Sequence, residues 1–227
     1  MSNMRTIRIT GKGKIKVKPD MTRITMTLEG IYPEYSEALR HSAQDTDCIK
    51  DVLGAFGFER PDLKTLSFNV NTEYEMYQEE NSVKVKQRLV GYKFRHQMKV
   101  EFESDNGRLG RILYALAHCQ VKPEFRISYT VEDQEAAKNE LLGKAVADAK
   151  EKAVVLTQAA GVELKEIQSI DYSWGEIYFE VHPMGRAMLA EDEADSLMAP
   201  LSVGYDLDIE PDDIEVSDTV TVVWGIQ

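Results

Sequence analysis

Cysteine is nearly absent: the 227-residue chain has two, Cys48 and Cys119. Two thiols close at most one bridge, so no disulfide framework is implied. Both fall in helical patterns beside apolar neighbours, and the low count fits a reduced cytosolic setting. Histidine is scarce too. His41, His96, His118 and His182 lie far apart, and although His118 neighbours Cys119, adjacent helical residues do not face one ligand together. No zinc site is expected. Long apolar runs are also missing. No stretch free of Asp, Glu, Lys and Arg exceeds 10 residues, as at 112–121, whereas a membrane-spanning helix needs about 20. The opening Met1-Ser2-Asn3-Met4-Arg5 has no apolar signal core, so a cytoplasmic location is expected.

Positive charge is short overall, with 27 Lys and Arg against 39 Asp and Glu and a net charge of −12. The imbalance is uneven. Residues 1–23 hold seven basic groups against Asp20 alone, while residues 159–227 hold only Lys165 and Arg186 against 16 acids. An acidic chain does not attract phosphate backbones, so nucleic acid is not an expected partner. Lys12, Lys14, Lys16 and Lys18 form the candidate assembly face, where the basic start of one subunit meets the acidic end of another. The alternative, that these segments are already neighbours within one subunit, is left open by the sequence.

Motifs of known chemistry are missing as well. There is no P-loop, HExxH, CxxC or Gly-x-Ser-x-Gly elbow, and Gly11-Lys12-Gly13 lacks the third glycine of a dinucleotide fingerprint. Asp206, Asp208, Glu210 and Asp212 alternate like the start of a calcium loop, but Pro211 and Ser217 stand where Gly and Glu are needed. No catalytic residue, cofactor or metal is expected. His96 lies on the apolar face of its strand between Phe94 and Met98. It reads either as a hydrogen-bonded core histidine or, with Tyr92, as part of a ligand pocket.

What is present is periodicity. Ile7, Ile9, Ile15 and Val17 alternate with Thr6, Arg8, Thr10 and the lysines, which makes a half-buried strand. Pro19-Asp20 is turn chemistry, and the alternation resumes from Arg23, so a hairpin is expected. Apolar residues from Ala38 to Phe56 recur at helical spacing. A long hairpin follows over 63–104, and its returning strand switches apolar parity near Gly91, the signature of a β-bulge. Ser104 or Asp105 caps a short helix, and Phe125–Val131 alternates again. Asp133 opens a helix with an alanine seam, closed by Gly161. Strands at 167–174 and 214–226 finish the order ββαββαβαββ, an α+β fold with largely antiparallel sheet and helices packed on it. No linker divides residues 1–227, so one unit is expected. Residues 175–211 lose periodicity and read as a mobile loop, a candidate surface for a protein partner.

Several segments together resemble the SIMPL-domain family. Ile9-Thr10-Gly11-Lys12-Gly13 through Val17-Lys18-Pro19-Asp20 is similar to its glycine-rich first strand and turn. Leu53, Gly57, Asp62-Leu63-Lys64-Thr65 and Tyr74 resemble the next helix end and strand, and Gly91-Tyr92 a later strand start. Ala145, Asp148-Ala149, Lys152-Ala153 and Gly161 resemble its alanine-rich helix. Pro211–Val216 through Val220 resembles its last strand, with Asp212 where glycine is usual. The resemblance implies no catalytic residues. It implies kinship with periplasmic immunogenic and oxidative-stress-associated bacterial proteins, many of which begin with an export signal. The leading expectation is a non-enzymatic, self-associating scaffold or binding protein, a homo-oligomer. The alternative is a small-ligand or lipid-binding module on the apolar sheet face around His96 and Tyr92.

Overall fold

The computed structural model describes residues 5–78, 85–172, 177–182 and 209–227. In chain order its elements are β1 (Arg5–Val17), β2 (Met21–Tyr32), α1 (Tyr35–Gly54), β3 (Lys64–Gln78), β4 (Val85–Glu103), α2 (Asn106–His118), β5 (Glu124–Thr130), α3 (Gln134–Ala160), β6 (Leu164–Tyr172), the two-residue β7 (Glu180–Val181) and β8 (Ile214–Ile226). A short 3-10 turn at Arg60–Asp62 precedes β3. The α+β expectation holds, with antiparallel sheets. The chain forms two compact units: unit 1 holds residues 1–20, 130–181 and 211–227, and unit 2 holds 21–129 and 182–210. Most of the expected mobile loop at 175–211 lies outside the described residues.

Unit 1 is a three-stranded sheet, β1–β8–β6, with α3 on one face. The expected hairpin between β1 and β2 does not form. β1 pairs along its whole length with β8, from Arg5↔Ile226 to Val17↔Ile214, while β2 pairs with β4. The Pro19-Asp20 turn is held by other residues: Asp20 donates its backbone N–H to the Thr130 carbonyl at 3.1 Å, and its carboxylate accepts from the Glu132 N–H at 2.8 Å. α3 begins where the Asp133 carboxylate accepts the Ala136 N–H and ends at Gly161 in left-handed backbone. Its buried seam is Ala137, Leu141, Ala145, Ala149, Ala153 and Thr157.

Unit 2 builds a sheet in the order β3–β4–β2–β5. Its core is large: Ile24, Met26, Leu28, Phe94, Met98, Val100 and Phe102 from the sheet meet Ala38, Ile49 and Leu53 of α1 and Leu109, Ile112 and Leu116 of α2. Asp105 caps α2 through the Arg108 N–H. The expected bulge is at Gly91. Glu73 opposes Gly91 and Tyr74 opposes Leu89, leaving Val90 as the extra residue. A Cβ on Gly91 would run into the Tyr32 carbonyl group, so glycine is what lets the two backbones approach there.

Candidate functional site

The residues singled out from sequence fall at three places. The first is the sheet face beneath α1. His96 and Tyr92 are four residues apart on β4, hence on one face. His96 is 8% exposed. Its Nδ1 lies 3.0 Å from Thr46 Oγ1 and its Nε2 2.9 Å from Thr65 Oγ1. The Thr46 hydroxyl donates to the Ser42 carbonyl at 2.7 Å. It therefore accepts from His96 Nδ1–H, and Nε2 accepts from the Thr65 hydroxyl. Burial, and then the Lys50 charge, hold the imidazole below its ordinary pKa. Both ring nitrogens are engaged by protein hydroxyls, which is the arrangement of a satisfied core histidine.

Tyr92 sits in an aromatic group that the sequence did not single out. Its ring meets Tyr35 edge-on at 5.6 Å, while Tyr32, directly opposite Tyr92 across the ladder, stacks on His41 at 4.2 Å. Gly30 makes room: a Cβ there would lie 2.7 Å from the Phe94 ring and 2.8 Å from the Tyr32 ring. Burial raises the pKa of Asp45, against the opposing pull of His41, and burial with the Asp45 charge raises that of Tyr32.

The second place is the lysine row of β1. Lys14 pairs with Glu215 at 2.9 Å, and Lys16 with Asp213 at 3.5 Å. These are contacts within one chain, across the β1–β8 ladder, and they realise the alternative the sequence left open for this part of the row. Lys12 makes no ion pair among the described residues. The calcium-like alternation falls partly on Asp206 and Asp208, which lie outside the described residues, and among the described residues no three His, Cys, Asp or Glu side chains gather around a metal-sized site.

The third place was not legible as a site. Gly11 and Gly13 of β1 face α3 with no side chain between. A Cβ on Gly11 would sit 2.5 Å from the Ala149 amide nitrogen and 2.7 Å from its Cβ, and one on Gly13 would sit 3.0 Å from the Ala145 nitrogen. Between these glycines, the Lys12 backbone N–H donates to Asp148 Oδ2 at 2.7 Å, and Lys152 Nζ donates to the same oxygen at 2.7 Å. The Lys152 hydrogen bond, then the Lys12 amide, hold the Asp148 carboxyl below its usual range. Asp148 thus closes one donor on the outer edge of β1. Alongside it a shallow depression of about 430 Å3 is lined by Ile9, Asp148, Glu151, Lys152, Val155 and Leu156.

The Gly-x-Gly strand against an alanine seam, closed by an aspartate on the helix, accounts physically for the first-strand and alanine-rich-helix segments among those that carried the family resemblance. The sequence pattern of SIMPL, described as a protein of unknown function (DUF541), matches residues 7–224. The chain belongs to the SIMPL family. Among curated relatives, this SIMPL chain is 26% identical over 164 residues to the 26 kDa periplasmic immunogenic protein of Brucella melitensis biotype 1. It is 25% identical over 164 residues to the protein of the same name from Brucella abortus (strain S19). Each match covers 72% of this chain and 65% of the relative, so the chain spans just under two thirds of the curated relatives it matches.

Proposed function

We propose that this SIMPL protein is a non-enzymatic, self-associating scaffold or binding protein. The observation that carries the reading is the far end of the β3–β4 hairpin. β2 stops pairing with β4 at Tyr32↔Tyr92, whereas β3 and β4 continue as a pair to Gln78↔Val85. This extension is two strands wide, and a two-stranded ribbon is marginal by itself in water. It carries exposed Tyr74 (54%), Met76 (72%), Tyr77, Leu89 and Val90. Exposed apolar side chains on an edge ribbon favour pairing with another copy. The non-enzymatic part rests on the sequence, which offers no nucleophile–base or metal-ligand spacing. The periplasmic names of both relatives point toward an exported protein rather than the cytoplasmic one expected from the opening residues. Cell fractionation tests location, and peroxide sensitivity of a deletion strain tests a place in oxidative-stress defence.

Sedimentation velocity at tens of micromolar protein tests self-association. The expected species is a multiple of 25.7 kDa, driven toward monomer by the double variant Tyr74→Glu, Met76→Glu. A wild-type monomer at that concentration removes the reading. Native mass spectrometry separates the rival: a stoichiometric small apolar ligand, lost in Tyr92→Ala, would favour a ligand-binding module.

A further inference from the structure

We propose that the outer edge of β1, together with the groove beside α3, binds an extended segment of a partner protein in which apolar and acidic residues alternate. The site lies in unit 1 and does not rest on the hairpin reading. β1 is the end strand of its sheet. The Lys12 N–H points away from β8, because it donates to Asp148. The β1–β8 register runs without a shift, so Thr6, Arg8 and Thr10 turn their N–H and C=O groups to the same open edge. An incoming strand can pair with these three residues, and Asp148 ends the ladder at Lys12.

The two faces of such a strand meet different surroundings. Toward α3, its side chains enter the groove floored by Ile9 and walled by Val155 and Leu156, which are 59% and 49% exposed. Apolar side chains fit there. Toward the opposite face, its side chains lie beside Arg8 and Lys12. Neither makes an ion pair among the described residues, whereas Lys14 and Lys16 further along are taken by Asp213 and Glu215. Acidic side chains fit there. Main-chain pairing supplies affinity, and the two alternating environments supply specificity.

The probe is a fluorescein-labelled, end-capped octapeptide alternating valine and glutamate, titrated with the full chain and read by fluorescence polarisation. Saturable binding below about 1 mM is expected, weakened about tenfold or more by Arg8→Glu and by Leu156→Glu. Both substitutions fall on exposed side chains, and circular dichroism checks that each variant is folded. A readout on the peptide avoids the folding question altogether. N-methylation of one alternate set of residues removes the donors facing β1 and is expected to abolish binding, while methylating the other set leaves it. Absence of saturable binding overturns the proposal, as does equal binding of a valine–lysine peptide or equal tolerance of both methylated sets. Wild-type dimer that Leu156→Glu converts to monomer, with no peptide bound, would assign the edge to a second copy and overturn the partner assignment.

Discussion

The two units lay helix on sheet in opposite ways. In unit 1, α3 rests on β1 with glycine on one side and alanine on the other, so backbone meets backbone. In unit 2, α1 and α2 are held off their sheet by Phe94, Met98, Phe102, Leu109 and Ile112. Each large side chain buried there stabilises the fold by about 1.5–3 kcal/mol, and its torsions let neighbours adjust when one changes. The alanine seam buries little per residue, and its stability comes from shape, which tolerates no addition. The difference is in the direction of vulnerability: the core of unit 2 is damaged by removing atoms, the β1–α3 joint of unit 1 by adding them.

The sharpest way to break that contrast is Gly11→Val. Even the Cβ has no room against Ala145 and Ala149, so a loss of about 4 kcal/mol or more is expected. Urea unfolding checks it through Trp224, which is buried in this core, in a Trp174→Phe background. Gly143→Ala is the control. Its Cβ would meet nothing within 4 Å, and a gain of up to about 1 kcal/mol is expected from helix propensity. In unit 2, Met98→Ala is expected to cost about 2–5 kcal/mol, whereas Met98→Leu stays under about 1.5 kcal/mol. An Ala149→Leu variant as mild as Met98→Leu would erase the distinction between the units.

A smaller effect is expected from pH. His96 has a folded pKa below that of the unfolded chain, so the unfolded state takes up the proton first. Its contribution to stability is complete above the unfolded histidine pKa and is lost as pH falls through the folded one. One proton bounds the slope at about 1.4 kcal/mol per pH unit. Urea midpoints of wild type and His96→Gln, measured across the acid side of neutrality, should converge as pH falls. Parallel curves would mean the imidazole does not titrate with folding. The smallest effect belongs to Lys14→Glu. Its pair with Glu215 is exposed on both sides, so a loss of about 0–1 kcal/mol that fades with added salt is expected.

Much of this fold was legible because it is written locally. Period two gave away β1 and β8, Asp133 and Gly161 bracketed α3, and the parity switch near Gly91 marked the bulge. Pairing was another matter. Pro19-Asp20 has the chemistry of a hairpin turn, but the partner of Gly11 is Val220, and nothing local to either residue says so. The same distance hid the Lys14–Glu215 contact, which sequence could only leave as one of two possibilities. The candidate site was the least readable. Asp148 looks like any solvated helical carboxylate until β1 is laid beside it, and the groove walls, Val155 and Leu156, break no pattern. His96 was recognisable as buried, but only the Ser42–Thr46–His96–Thr65 chain of hydrogen bonds shows that its nitrogens are already used.

The glycine–alanine joint also bears on how unit 1 opens. Ordinary cores loosen by degrees, because rotamers can hop while the backbone stays in place. Between Gly11, Gly13, Ala145 and Ala149 there are no side-chain torsions to hop, so the contact is either closed or parted backbone from backbone. Amide hydrogens along this seam should therefore lack a low-energy local route to exchange with solvent. In deuterium exchange they are expected to appear together, in the slowest class of unit 1, with one shared dependence on denaturant.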